Sequence, residues 1–313
     1  MFEFLLVVAS LPTSVCTSEA ETLRAAATQI EIAYVLEDVA SSVAKDLRSY
    51  ADETPSADDC APKEDFARIL TKTLRTISKD KHFYVEETTD DIGDDWIPAW
   101  RASGYEQGQG ITHVEVIEGN IGYVRIKSFH ELEPAFPHYR AAFDMVADTR
   151  ALILDLRDNH GGSPETAWPV QWTFLAPGSP SPMKMESRIE APTLREEPPV
   201  LWQRYGTERP MAILTNGDTF SAPEAVAYTL QAAGRAKIVG EPSGGGAHML
   251  NDGDELGTGF TLYIPTSRPV SAVTGGNWEG TGVSPDIHTS SAEAINVAAD
   301  YLRSQIAPDI SRH

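Results

Sequence analysis

The chain has 313 residues, 41% of them hydrophobic and 23% charged, enough to bury a full core without cross-links and ordinary for a globular protein of about two domains. With 46 acidic residues against 25 basic ones the net charge is −21, a surface that repels phosphate backbones and anionic lipid, so nucleic acid is excluded as a partner. Two cysteines, Cys16 and Cys60, allow neither a disulfide framework nor a four-thiolate zinc site, and no apolar run reaches the roughly 20 residues that span a bilayer.

Residues 4–11 form a short apolar run followed by small and polar residues, in the manner of a secretory signal. Glu3 and the lack of Lys or Arg before the run depart from that pattern, and Cys16 after Thr-Ser-Val fits a lipoprotein cleavage site poorly. Residues 1–18 are read as an export signal. A periplasmic or extracellular location is expected, with the cytoplasm as the alternative, and removal of the signal would leave Cys60 as a lone thiol.

Residues 19–50 read as one helix, with Leu36, Val39, Val43 and Leu47 on one face. Residues 63–78 read as a second, striped by Phe66, Ile69, Leu70, Leu74 and Ile77. The two define a helical N-terminal subdomain, 19–82. An acidic connecting loop, 83–110, follows. Glu86, Glu87, Asp90, Asp91, Asp94 and Asp95 match no EF-hand spacing and read as a solvated face.

From 111 to 313 the texture is α/β. Strands are expected at 113–117 and 121–126 around a Glu-Gly-Asn turn, then a helix over 134–147. The apolar runs 151–156, 211–214 and 237–239 have the character of strands buried on both faces. A helix over 223–233 stops at Gly234, a strand covers 260–264, and a helix over 291–306 closes the chain. Residues 176–210, rich in Pro and polar residues, read as a long surface excursion.

Several signatures are absent: the phosphate-binding loop, Gly-x-Gly-x-x-Gly, Gly-x-Ser-x-Gly and a complete zincin helix, since Pro134 stands where a second His belongs after His130-Glu131. Three segments remain. Asp155-Leu156-Arg157-Asp158-Asn159-His160-Gly161-Gly162 follows a buried strand, and its paired glycines let backbone N–H groups approach a ligand. Thr219-Phe220-Ser221-Ala222-Pro223-Glu224 places Ser221 at a helix entrance; Ser221 and Glu224 spell a capping box, and the same position offers free N–H donors to a nucleophile. Ser243-Gly244-Gly245-Gly246-Ala247-His248 and Asn277-Trp278-Glu279-Gly280-Thr281-Gly282-Val283-Ser284-Pro285-Asp286 are glycine-rich loops.

In this order, together with Ile121-Gly122-Tyr123-Val124-Arg125-Ile126 and Ile238-Val239-Gly240-Glu241, the segments resemble the C-terminal-processing (tail-specific) serine peptidases. The nearest branch is that of tricorn protease and the interphotoreceptor-retinoid-binding-protein-like peptidases. The likeness runs from Phe66 to Ile287. It implies a ClpP/crotonase-like α/β catalytic domain with a small N-terminal helical subdomain. No PDZ domain is expected, because the stretch from Phe83 to Gly119 is too short for one.

The resemblance makes Ser221 the nucleophile. The processing branch activates it with a Lys about 25 residues further on, an offset that here falls on Gly246, and Lys237 sits in an expected strand. The tricorn-like branch uses His and Glu instead. His82, after the helical unit, is then the base, with His248 as its rival and His160 a distant third; Glu279 orients the imidazole, with Asp286 and Glu224 as alternatives that also read as a turn cap and a helix cap. Backbone amides of Gly161, Gly162 and Ala222 would form the oxyanion hole. The implied activity is a serine endopeptidase working through an acyl-enzyme on a peptide or protein substrate, with no cofactor and no metal. The competing readings are a catalytically inactive module that binds a hydrophobic ligand on the same fold and, more remotely, a metal-dependent hydrolase. Oligomeric state is not legible in the sequence.

Overall fold

The computed structural model describes residues 11–54, 56–88, 102–198 and 202–306. They fall into two compact units. The first takes the chain up to 93 and the segments 185–193 and 248–269; the second takes 94–184, 194–247 and the chain from 270 onward. Two segments from beyond 111 thus belong with the N-terminal unit, which the expected linear division at 82 and 110 did not provide for.

In the first unit, α1 (Thr17–Ala33), α2 (Glu37–Glu53) and α3 (Lys63–Ser78) pack around Leu23, Ile30, Tyr34, Val43, Leu47, Phe66, Leu70 and Leu74. The single helix expected over 19–50 is two helices. Tyr34 and Val35 are both buried, and the Val35 N–H donates to Pro265 O at 3.0 Å rather than continuing the helical ladder. Glu37 and Asp38 then sit in the first turn of α2, where the helix dipole favours negative charge. The unit is not purely helical. Tyr84–Glu87 pairs antiparallel with Phe260–Tyr263, which pairs in turn with Asp254–Glu255. Glu86 and Glu87, expected in a solvated loop, are therefore strand residues, and Asp90, Asp91, Asp94 and Asp95 lie outside the described residues.

Cys60 is not a lone thiol: it forms a disulfide with Cys16. Cys16 and Val15 are buried in this unit's core, so a boundary at 18 would remove part of the folded structure, and the bonded Cys16 sulfur is not free to carry a lipid.

The second unit is built on a six-stranded sheet. In chain order its strands are β1 (Ile111–Ile117), β2 (Ile121–Ile126), β3 (Ala151–Asp155), β4 (Met211–Thr215), β5 (Lys237–Gly240) and β6 (Ile287–His288), and they lie side by side in that same order. The β1–β2 hairpin is antiparallel and every other pairing is parallel. All five residues of β3 and of β4 are buried, because the sheet is covered on both faces. One face carries α4 (Leu132–Met145), α5 (Pro164–Thr173) and α6 (Ala222–Ala232); the other carries α7 (Ala294–Gln305).

The stretch 176–210 is not wholly a surface excursion. Trp202 and Tyr205 are buried in the second unit's core. Trp202 stacks on Phe143 at 5.6 Å and on Tyr139 at 5.5 Å, and its indole N–H donates to Thr173 Oγ1 at 2.6 Å, so the ring is buried without orphaning its polar edge.

The disulfide closes a loop over a sequence separation of 44. Chain-entropy arguments assign a closure of that length about 4 kcal/mol, an upper figure for the real effect. Replacing both cysteines by Ser should lower the first unit's unfolding free energy by about 2–4 kcal/mol. Reductant added to the wild type should reproduce the loss in urea denaturation and leave the double variant unchanged.

Candidate active site

The loops leaving the carboxyl ends of β3 and β4 are laced together. Thr219 Oγ1 donates to Leu156 O at 2.9 Å, Phe220 N–H to Asn159 O at 2.9 Å, and Asn216 Nδ2 to Asp158 Oδ1 at 2.7 Å. The carboxyl edge of a parallel sheet is where open α/β folds bind ligands. Below the loops, Asp155 is fully buried. It takes a two-pronged bond from Arg157 (Nε 2.8 Å, Nη2 2.6 Å) and another from the Tyr123 hydroxyl at 2.7 Å. The Asp-x-Arg portion of the motif is therefore scaffold. His160 points to solvent.

Ser221 heads α6 with φ 69° and ψ −116°, a region that a residue with a β-carbon enters only when its surroundings impose it. The cause is Glu224. This carboxylate is fully buried and accepts from Ser221 N–H (2.7 Å), Ser243 Oγ (2.5 Å), Gly245 N–H (2.7 Å) and Gly246 N–H (2.9 Å). Burial pushes its carboxyl up; the four donors work against that, and the balance leaves it above the ordinary carboxylate range. The capping box is real, but it reaches further than a cap, clamping the turn of Ser221 to the glycine loop. In the sequence Ser243 stands only as part of a glycine-rich loop; the Ser-x-x-Glu spacing and the adjacent glycine triplet are the local signals for this clamp.

The two glycine-rich loops prove to be each other's partners. A β-carbon on Gly282 would stand 2.2 Å from Ser243 O, and one on Gly245 would stand 3.0 Å from Gly282 N, so the backbones meet where side chains cannot fit. Glu279 ties in through Oε2, which accepts the Ala247 N–H at 2.6 Å, and the Trp278 indole N–H donates to Gly246 O at 2.7 Å. Where the processing branch would carry its lysine, Gly246 serves this clamp, and the Lys237 ammonium is occupied by Asp286 at 2.9 Å. Asp286 also accepts from Ile238 N–H and Gln231 Nε2, which makes it a strand-edge tie.

Across from Ser221 runs the Gly161–Gly162 turn. A β-carbon on Gly161 would lie 3.2 Å from Ser221 Cβ, and one on Gly162 only 2.0 Å from Phe129 O. The Gly161 amide, expected as an oxyanion donor, instead donates to Asn159 Oδ1 at 2.9 Å. Gly162 faces Phe129 in a parallel bridge whose two hydrogen bonds are made by its neighbours, Phe129 N–H to Gly161 O and Ser163 N–H to Phe129 O. That pattern turns the Gly162 N–H away from its bridge partner. Ala222, in the first turn of α6, has an N–H that the helix itself does not use.

The two candidate imidazoles lie in the first unit, and Asp80 joins them. Its Oδ1 accepts the His82 N–H at 2.9 Å and lies 3.6 Å from His82 Nδ1; its Oδ2 faces His248 Nδ1 at 2.6 Å and accepts the Tyr34 hydroxyl at 3.2 Å. Burial would push Asp80 up, but the hydrogen bonds of His248 and His82 and the charge of His248 outweigh it and hold the carboxyl well below its ordinary range. Asp80 is not among the residues the sequence singles out. The His82 side chain keeps 10% of its exposure and that of His248 only 2%.

The family model of peptidase family S41 matches residues 120–289, more than half of the chain. The chain thus belongs to peptidase family S41. A carboxy-terminal-processing protease of Bartonella bacilliformis is 29% identical over 181 residues, 55% of this chain and 39% of that protein, so the chain spans well under half of that relative's length. Among solved structures, a lipoprotein from Streptococcus agalactiae aligns with a TM-score of 0.63 at 17% identity, covering 95% of this chain and 98% of its own. Tricorn protease aligns with a TM-score of 0.60 at 13% identity, covering 92% of this chain and 37% of its own. At such identities these two likenesses bear on the fold alone.

Glu224→Ala would strand three backbone N–H donors at roughly 1–3 kcal/mol each, so a loss of at least about 3 kcal/mol is expected in equilibrium unfolding of the second unit. Asp80 gives a pH signature in the first. Its folded-state pKa lies below the value of about 3.9 that it has unfolded, so its contribution is complete above that pH and drains away on further acidification. Unfolding free energy should fall as pH drops below about 4, and Asp80→Asn should flatten that slope in denaturation series run between neutral pH and pH 2.

Proposed function

We propose that the chain is a serine endopeptidase that cleaves peptide bonds of a peptide or protein substrate through an acyl-enzyme. The observation that carries this reading is the conformation of Ser221: a non-glycine residue at positive φ, on a helix N-terminus, 3.2 Å from where a β-carbon of the facing glycine would stand. A strained hydroxyl beside backbone donors is the arrangement of an activated nucleophile. Membership of peptidase family S41 and likeness to a processing protease support it.

In this scheme Ser221 Oγ attacks the scissile carbonyl while His82 takes its proton. The tetrahedral oxyanion is held by the N–H groups of Gly162 and Ala222, each worth roughly 100- to 1000-fold in rate in such enzymes. His82 returns the proton to the leaving amine. It then accepts a proton from water as the water attacks the ester, and Ser221 is regenerated with release of the acid. Glu279 is the carboxylate that orients the imidazole. His82 is preferred to His248 because His248 is sealed in the interior with its Nδ1 against Asp80. No step calls for a cofactor.

The same reading places the protein in an exported, oxidising compartment, periplasmic or extracellular, where a disulfide such as Cys16–Cys60 persists. Among the described residues no helix is long and apolar enough to cross a membrane.

Ser221→Ala is expected to abolish labelling by a fluorophosphonate probe and to lower peptide hydrolysis by at least about 1000-fold with the fold retained. A variant that labels and cleaves as the wild type does would remove Ser221 from the chemistry. A wild type that neither labels nor cleaves would favour the ligand-binding module.

A further inference from the structure

Lys79 closes α3 in the left-handed conformation (φ 60°), and the turn it makes drives Asp80 inward to 1% exposure. Holding such a turn needs only a short polar side chain accepting the N–H two residues on, which Asn would do as well as Asp. What the turn does not call for is a buried charge with a second histidine sealed behind it. Charges are costly to bury unless they are paired, and paired ones are seldom more stable than an apolar core. Asp80 stands between two imidazoles. His82 retains access to the surface, while His248 is closed in by Tyr34, whose ring lies 6.4 Å away and edge-on. Within its unit Asp80 faces Tyr34, His82 and His248 and couples to Arg75 of α3, and the Glu279 carboxylate is a further charged group, with an oxygen within 4.8 Å of an Asp80 oxygen and a His82 ring nitrogen.

We propose that Asp80 is a positioning residue for the base His82, and that His248 positions Asp80. The proposal rests on the assignment of His82 as base and deepens it. The carboxylate turns the Nδ1 edge of the His82 ring toward itself, so Nδ1 carries the proton and Nε2 is left as the basic nitrogen. When Ser221 gives its proton to Nε2, the ring becomes an imidazolium and the Asp80 anion stabilises it without being protonated. His248, with its Nδ1–H on the far oxygen, and the Tyr34 hydroxyl prevent the carboxylate from rotating away. His248 neither gives up nor receives a proton in the cycle. Glu279 and Asp80 then divide the orientation of one imidazole between two segments of chain.

The test uses the full-length protein and a chromogenic peptide. Asp80→Asn keeps the turn and removes the charge. It should lower kcat by about 100-fold or more with KM little changed, slow fluorophosphonate labelling in the same proportion, and move the acid limb of the kcat/KM profile to lower pH, since an amide no longer favours the imidazolium. His248→Phe should lower kcat by about 10-fold, and His248→Gln, which keeps an N–H donor, should recover part of that loss. Wild-type kcat and an unshifted profile in Asp80→Asn, with Ser221→Ala and His82→Ala inactive, would overturn the positioning role and leave the peptidase reading intact. Activity retained by His82→Ala would sink the base assignment and this proposal with it. Should Asp80→Asn fail to fold, His248→Phe decides: an unchanged kcat and pH profile there overturns the proposal.

Discussion

Glu224 places both carboxylate oxygens in the interior, and the burial is sustainable because four donors converge on them: the Ser221 N–H, the Ser243 hydroxyl and the N–H groups of Gly245 and Gly246. The rest of the site hangs from this one interaction. Pulled by its own N–H toward Glu224, Ser221 is fixed at positive φ. Held by two successive N–H groups, the glycine loop meets the backbone of the 278–283 loop, and from that loop Glu279 reaches the Ala247 N–H. A helix cap read from the sequence is in this way the fastening of the residue proposed as nucleophile.

Much of the fold was legible because the second unit obeys simple rules. Runs buried on both faces announced β3, β4 and β5, and the Glu-Gly-Asn turn announced the β1–β2 hairpin. What failed did so through long-range contacts that periodicity cannot see. The break between α1 and α2 depends on a bond from Val35 to Pro265, 230 positions along the chain. The Trp202 anchor lies in a polar, proline-rich stretch whose composition suggests solvent. The Cys16–Cys60 pairing depends on a fold that brings the start of α1 to the loop before α3.

The site was legible in part, for a related reason. Motifs that act through backbone, such as Gly161-Gly162 and the two glycine loops, show themselves as composition. Which amide is free does not: Gly161 and Gly162 are equivalent on paper, and only the Asn159 side chain separates them. Asp80 was invisible for the opposite reason. Nothing local distinguishes it from the other acids of an acidic protein, and its significance comes from His248, 168 positions away.

In the proposed mechanism Ser221 is the nucleophile, its developing oxyanion lies on the Gly162 and Ala222 amides, and His82 is the base. A crystal structure of the protein inactivated by a peptidyl phosphonate tests this most directly. Phosphorus should be bonded to Ser221 Oγ, with one phosphonyl oxygen within hydrogen-bond distance of both amides and the His82 ring presenting Nε2 to the adduct. An adduct on another residue, or a phosphonyl oxygen held by other groups while His82 stands out of reach, would contradict it.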